Sequence, residues 1–258
     1  MSTVIYPSPI FGPVHSRRLG ISLGVNLMPG DGKICTFDCV YCECGLNKDH
    51  IPHEKRPSRA AVAEMLEKTL RERHSLHQPL DVITFAGNGE PTAHPDFPGI
   101  IDDTVRIRDT YFPEARISVL SNSTFILKDD VFEALKKVDN NILKLDTVSD
   151  DYIRLVNRPS CRYDRDALVE RMKKFDGHCI IQTMFMKGSL DGRSVCNLGD
   201  EYVSAWLDTV ESIKPSLVMI YTIDRETPCA GLEKATHEEL DRIGELVRRR
   251  NLNVEIAY

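Results

Sequence analysis

Residues 81–92 read DVITFAGNGEPT, an apolar run of strand length that ends in a glycine-bearing turn. The segment 81–86 is predicted to be a buried strand, because it is short, rich in apolar residues and bounded by Gly87 and Gly89. The residues before it carry a helical stripe with spacings of three and four: Val62, Met65, Leu66, Thr69 and Leu70. The sequence therefore predicts a unit of helix, strand and loop here.

The same alternation continues in both directions along the chain. Six segments are predicted to be strands: residues 22–27, 81–86, 116–121, 141–146, 178–186 and 216–223. Helical periodicities lie between them, and a capping-box pattern of Thr236 with Glu239 precedes a last helix and a short strand at 254–257. Strands that alternate with helices form parallel sheets with right-handed crossovers. We predict an α/β fold; periodicity alone leaves open whether the sheet closes into a barrel.

Composition narrows the class of protein. The chain has 258 residues and a formal net charge of −6, and a chain of this length buries about three-quarters of its unfolded surface without needing disulfides. Its first residues lack the charged and apolar regions of a secretory signal, and no apolar run approaches the roughly 20 residues of a membrane-spanning helix. We therefore expect a cytoplasmic protein that does not associate with membranes.

Four of the eight cysteines lie within the segment KICTFDCVYCEC at residues 33–44, after the first predicted strand. In a reducing compartment this clustering indicates a metal or redox site. Cys35, Cys39 and Cys42 have C-x3-C-x2-C spacing, so three thiolates from one loop can hold three irons of a [4Fe–4S] cluster. The fourth iron then stays open to an outside ligand. A zinc site closed by Cys44, or ordinary thiols, are the alternatives.

With Tyr41 before its last cysteine, this loop resembles the signature of radical S-adenosylmethionine (SAM) enzymes. Further blocks resemble the subgroup related to wyosine-base (4-demethylwyosine) synthase: GPV at 12–14, SRRLG at 16–20, SLGVNL at 22–27, GNGEPT at 87–92, SNST at 121–124, KLD at 144–146 and YTIDR at 221–225. The resemblance implies a partial, TIM-like (β/α)6 barrel. It also implies a single domain over residues 1–258, with the cysteine loop at 35–44, the barrel core at about 20–225 and a C-terminal helix and strand at 236–257.

The resemblance also implies an activity. Cys35, Cys39 and Cys42 would bind the cluster, and its reduction would cleave SAM to a 5′-deoxyadenosyl radical that abstracts hydrogen from a substrate. Cofactor-binding residues are expected at Tyr41, Gly87, Asn88, Gly89, Glu90, Ser121, Asn122 and Ser123. A flavodoxin or ferredoxin would donate the electron, and the substrate would be a small molecule or a nucleobase, with a modified purine or a transfer RNA base as the family-based expectation.

Two features depart from the subgroup. Its synthases carry a second cluster on an N-terminal extension, whereas no cysteine precedes Cys35 here, and Cys44 stands where an apolar residue is usual. A non-catalytic iron–sulfur or zinc-binding module is the alternative function.

Polar residues on two predicted strands are further candidates. Lys144 and Asp146 share one face of the fourth strand. Charges inside a barrel are costly unless they are paired or used, so both residues are candidates to face the substrate, with a structural ion pair as the alternative. Gln182 on the fifth strand either binds a ligand or is a hydrogen-bonded amide of the core.

The net charge of −6 predicts weak binding to bulk transfer RNA at physiological salt. Such binding depends on cations that displace counterions from phosphates, and this chain has an excess of acidic residues. Fluorescence anisotropy of labelled transfer RNA, titrated at several salt concentrations, measures the affinity. Tight binding with a steep salt dependence would show instead that a local basic patch outweighs the net charge.

Overall fold

The computed structural model describes residues 3–16 and 20–258. Arg17, Arg18 and Leu19 of the SRRLG block lie outside these residues. The strands are β1 Ile10–Ser16, β2 Gly20–Val25, β3 Val82–Phe85, β4 Arg116–Ser121, β5 Asn140–Lys144, β6 Ile180–Met184, β7 Met186–Leu190, β8 Arg193–Ser194, β9 Leu217–Tyr221, β10 Leu232–Lys234 and β11 Val254–Ala257.

The main sheet has the strand order β1-β2-β3-β4-β5-β6-β9-β11. Strands β2 to β6 and β9 overlap the six predicted strands and pair in parallel, and β11 is the predicted short strand, parallel to β9. The strand β5 ends at Lys144, so Asp146 follows this strand instead of lying on it as predicted. The α/β prediction is confirmed. The edge strand β1, antiparallel to β2, was not predicted; Gly12 and Pro13 interrupt its apolar pattern, and the pairing shifts register between Phe11 and Val14.

Seven α-helices are found in the part of the chain that the structure describes: α1 Arg59–Ser75, α2 Phe97–Tyr111, α3 Asp129–Leu135, α4 Asp150–Tyr152, α5 Arg165–Lys173, α6 Asp200–Ile213 and α7 His237–Arg249. The predicted capping box opens α7: the Thr236 hydroxyl accepts from the Glu239 N–H at 3.2 Å, and the Glu239 carboxylate accepts from the Thr236 N–H at 2.7 Å. None of the described helices combines the length and apolarity needed to cross a membrane.

The two faces of the sheet have different roles. Residues on the outer face pack beneath the helices in the main hydrophobic core, among them Leu23, Val25, Ile83, Phe85, Ile117, Val119, Ile181, Val218 and Ile220. Their neighbours on the inner face line a cavity: Ser22, Gly24, Thr84, Leu120, Ile142, Gln182 and Met219. Because a strand alternates its side chains, one pattern of residues builds both the core and the inside of the barrel.

Trp206 of α6 connects this helix to the sheet. Its indole is 1% exposed and its Nε1–H donates to the Leu145 carbonyl at 3.0 Å and the Thr183 hydroxyl at 3.1 Å. It also packs edge to face on Phe185. Trp206 thus fixes α6 against the end of β5 and against β6.

We expect Trp206→Phe to lower the free energy of unfolding by about 2–3 kcal/mol, because it removes a buried hydrogen-bond donor and leaves a small cavity. Urea denaturation monitored by circular dichroism measures the change. Tryptophan fluorescence would not serve, because the substitution removes the only tryptophan in the sequence. Leu76→Ala, at a side chain that is 66% exposed, is the control and should change little. An unchanged midpoint for Trp206→Phe would contradict this role.

Candidate active site

A cavity of about 750 Å³ occupies the inside of the barrel and opens at the carboxyl ends of the parallel strands. Its walls include the inner-face side chains described above and the loops that follow β2, β3, β4 and β9. Cys35, Cys39 and Cys42 all lie at this cavity. Ligands of parallel α/β folds bind at the carboxyl ends of the strands, so the predicted cluster loop lies where a cofactor is expected.

The cysteine loop is held to the end of β3 by backbone pairing. The Ile34 N–H donates to the Asn88 carbonyl at 3.0 Å, and the Glu90 N–H donates to the Ile34 carbonyl at 3.2 Å. Gly89, between them, has a φ of +138°, and a Cβ atom there would lie 1.8 Å from the Ile34 oxygen. Only glycine permits this approach. Gly89 of the GNGEPT block therefore positions the cysteine loop.

Three N–H groups point at sulfur atoms of the loop. The Phe37 N–H donates to Cys35 Sγ at 3.4 Å, and the Asn122 amide approaches the same sulfur at 3.6 Å. The Asn157 amide lies 3.6 Å from Cys39 Sγ. Such donors stabilise thiolates and influence the potential of an iron–sulfur cluster. Asn122 was predicted at this site; Asn157 was not, because nothing local in the sequence distinguishes it.

A buried cation lies beside the thiols. Lys33 is 4% exposed and its ammonium donates to the Gly45 carbonyl at 2.6 Å. Burial opposes its charge, but attraction to Cys42, Cys35 and Cys39 raises the pKa of the Lys33 ammonium overall. A positive charge here offsets the negative charge of thiolate ligands. The donor set of three thiols with one buried cation therefore fits an iron–sulfur cluster.

The thiols themselves differ in their electrostatics. Burial raises the pKa of Cys35, and it raises the pKa of Cys39 to about 11. A hydrogen bond from the Cys44 thiol lowers the pKa of Cys42. Within the described ranges, no three His, Cys, Asp or Glu side chains converge on a single-ion position; the prediction concerns a cluster, in which each thiolate binds a different iron.

Of the predicted cofactor-binding residues, six line the cavity: Tyr41, Gly87, Gly89, Glu90, Ser121 and Asn122. Asn88 and Ser123 lie behind them, each with 0% exposure. The Asn88 amide donates to the Tyr6 and Pro29 carbonyls, both at 2.8 Å, and the Ser123 hydroxyl donates to the Lys144 carbonyl at 3.3 Å. The structure thus places these two side chains against the backbone that supports the cavity.

Glu90 has both carboxylate oxygens engaged. They accept from the Thr92 N–H at 3.0 Å, the Ser121 hydroxyl at 2.9 Å and the Asn122 N–H at 2.6 Å. Burial raises the pKa of this carboxyl, and the hydrogen bonds act in the opposite direction. Glu90 therefore joins the loop after β3 to the end of β4 and holds Ser121 and Asn122 at the cavity.

Lys144 and Asp146 form an ion pair in which the Lys144 Nζ lies 3.5 Å from Asp146 Oδ1. The ammonium also donates to the hydroxyls of Tyr221 at 2.9 Å and Tyr41 at 3.1 Å. The Tyr41 hydroxyl in turn donates to Asp146. Burial opposes the lysine charge, but Asp146 and the neighbouring groups hold the pKa of Lys144 above its ordinary value. Lys144 lines the cavity, and the buried Asp146 balances its charge.

The N-terminal segment covers the cysteine loop, a contact that the sequence did not reveal. The Val4 N–H donates to the Glu43 carbonyl at 3.0 Å. Arg225, from the loop after β9, pairs with the Glu43 carboxylate at 2.8 Å and donates to the Tyr6 hydroxyl at 3.3 Å. Arg225, Glu43 and Tyr6 all lie at the cavity. The mouth of the cavity is therefore built from segments far apart in sequence.

Cys44 has a different environment from its neighbours. It is 6% exposed, and its sulfur lies 3.3 Å from the Gly87 carbonyl oxygen.

We expect Cys44→Ala to retain about four irons after anaerobic reconstitution, and Cys42→Ala to lose them, because three protein ligands must leave one iron open. Iron and sulfide analysis with absorption near 400 nm tests this. Equal loss of iron in both variants would indicate a closed four-thiolate site.

Comparison with known proteins gives a family. The model of the "Radical SAM superfamily" matches residues 31–193, which include the whole cysteine loop. A UPF0026 protein of Helicobacter pylori is 30% identical over 223 residues, an alignment that covers 85% of this chain and 67% of that protein. This chain spans between about a third and two-thirds of the length of curated relatives that it matches.

Solved structures share the fold. A radical SAM methyltransferase from Sphaerobacter thermophilus aligns with a TM-score of 0.65 at 16% identity, over 92% of this chain and 66% of that one. SuiB from Streptococcus suis, bound to S-adenosylmethionine, aligns with a TM-score of 0.63 at 18% identity, over 91% of this chain and 50% of that one. These alignments support the predicted α/β fold with a partial barrel. Because the family match covers more than half of the chain and includes all three predicted cluster ligands, this protein belongs to the radical SAM superfamily.

Proposed function

We propose that this protein reductively cleaves SAM and abstracts a hydrogen atom from a substrate. In the proposed reaction, one electron from an external donor breaks the sulfur–carbon bond of SAM and gives methionine and a 5′-deoxyadenosyl radical. The radical takes a hydrogen atom from the substrate and becomes 5′-deoxyadenosine. A [4Fe–4S] cluster bound by Cys35, Cys39 and Cys42 would supply the electron transfer. The observation that carries the proposal is that all three thiols line one cavity inside the barrel.

The chain's own residues have defined tasks in this proposal. Lys33 offsets negative charge at the thiols, and Asn157 and Asn122 donate toward the sulfur atoms. Gly87 and Gly89 line the cavity, and the absence of a side chain at each lets Asn26 and Ile34 pack directly against this turn. Each group is fixed by hydrogen bonds in the protein alone, so the site is preorganised for an anionic cofactor.

The partners follow from family membership and from the sequence blocks. A flavodoxin or ferredoxin is proposed as the electron donor, in the cytoplasm. The resemblance to the wyosine-synthase subgroup supports a small molecule or nucleobase as substrate, with a modified purine or transfer RNA base as the specific case. A non-catalytic metal-binding module is less well supported, because it would leave a 750 Å³ cavity beside the thiols without a purpose.

Anaerobically reconstituted protein, reduced with dithionite in the presence of SAM, should produce 5′-deoxyadenosine. Cys39→Ala should abolish this product, because one cluster ligand is missing, whereas Cys161→Ala, at an exposed thiol, should retain it. Liquid chromatography of the quenched reaction measures the yield. Bound zinc without iron uptake, or an intact cluster that never cleaves SAM, would contradict the proposed function.

A further inference from the structure

Gln182 faces the cavity from the middle of β6. It is 6% exposed and lies in register with Lys144 on β5 and Met219 on β9. Its strand neighbours Ile181 and Thr183 point to the opposite face, where they are completely buried. The side chain of Gln182 is therefore an inner-wall residue, more than nine-tenths buried and directed into the space where a substrate would bind.

The carboxamide of Gln182 has no hydrogen-bond partner among the described residues. Other polar side chains of the inner wall are engaged: the Ser22 and Thr84 hydroxyls lie 2.8 Å apart, and the Lys144 ammonium donates to Tyr221 and pairs with Asp146. The Gln182 amide atoms are not sealed from solvent, so the cavity is where they can find a partner. The sequence alternative of a hydrogen-bonded core amide is therefore not what the structure shows.

Apart from Lys144, the inner-wall residues around Gln182 are apolar. Ile142, Ile180 and Met219 form a cluster at the inside of the barrel, with Leu120 packed against it. The charge of Lys144, in register with Gln182, is balanced by Asp146. Beside the Lys144 ammonium, which Asp146 balances, this part of the wall offers a ligand one neutral carbonyl acceptor and one neutral N–H donor, side by side.

We propose that Gln182 determines specificity by pairing with an uncharged cis-amide edge of the substrate, that is, a lactam or a primary carboxamide. Such an edge presents its own donor and acceptor on one side, so two parallel hydrogen bonds form with the glutamine. A trans secondary amide presents them on opposite sides and pairs only once. A carboxylate offers acceptors only. This inference rests on the proposed function, because it names the substrate class of the same cavity.

The test uses anaerobically reconstituted protein saturated with SAM, so that a probe cannot occupy the SAM site. Ligand-observed NMR titrations compare 2-pyridone, a lactam, with N-methyl-2-pyridone, N-methylacetamide and benzoate. We expect 2-pyridone to bind wild-type protein at least about tenfold more tightly than the other three probes, the effect of leaving a buried polar group unpaired. Hypoxanthine and nicotinamide then distinguish a ring lactam from a carboxamide as the source of the edge.

Two variants connect the binding to Gln182. Gln182→Met and Gln182→Leu replace the amide with an apolar side chain of similar size. Both variants should lose the preference for 2-pyridone over N-methyl-2-pyridone. Their thermal midpoints should stay close to that of the wild type, because the amide that is removed has no hydrogen-bond partner among the described residues and faces the cavity. Gln78→Leu, the same change at an exposed position, is the matched control and should bind like the wild type.

The outcomes separate this inference from the proposed function. Unchanged probe binding in both Gln182 variants, or tighter binding of benzoate than of 2-pyridone, would overturn the inference even if 5′-deoxyadenosine is formed. Weaker SAM binding in the variants, with no change in probe preference, would overturn it too, since Gln182 would then belong to the SAM site. A wild-type protein that shows the lactam preference but never cleaves SAM would reject the proposed function alone.

Discussion

The contact between the backbones of Ile34 and Gly89 is the constraint on which the site depends. Two hydrogen bonds join the start of the cysteine loop to the end of β3, and the absence of a side chain at Gly89 makes the approach possible. Since β3 is part of the parallel sheet, this contact fixes the position of the cysteine loop, and so of its thiols, relative to the barrel. Glu90, the next residue, extends the same connection to β4 through Ser121 and Asn122.

Buried charge is the second organising element. Lys33 lies against the cysteine loop, and the Lys144–Asp146 pair lies deeper, with the Tyr41 hydroxyl bound to both of its members. Asp146 balances Lys144, and Lys33 faces the thiols that would be anionic as the proposed cluster ligands. Uncompensated charges of this kind would oppose folding, so the folded barrel already holds a cation where the proposed cluster would bring negative charge.

Much of the site could be predicted from the sequence because its signals are local. The spacing of Cys35, Cys39 and Cys42 and the glycines of residues 87–92 are readable without a structure. Asn157 could not be found this way: it ends a π-helical turn, and its amide meets Cys39 across more than a hundred residues of chain. Tyr6 is similar, since its partners Asn88 and Arg225 come from distant loops. Contacts of this type leave no periodic pattern.

The sequence by itself determined the alternation of strands and helices, because a strand repeats its faces every two residues and a helix every three to four. It also determined the chemistry of the loop, because three thiols within eight positions are available whatever the chain does elsewhere. Only the tertiary structure decided which polar groups have partners. Asn88 follows β3, and Gln182 lies within β6. The Asn88 amide is hydrogen-bonded to Tyr6 and Pro29, whereas the Gln182 amide faces the cavity with no partner among the residues that the structure describes. Whether an amide supports the fold or serves a ligand depends on which groups the packing brings near it, and those groups come from other segments of the chain.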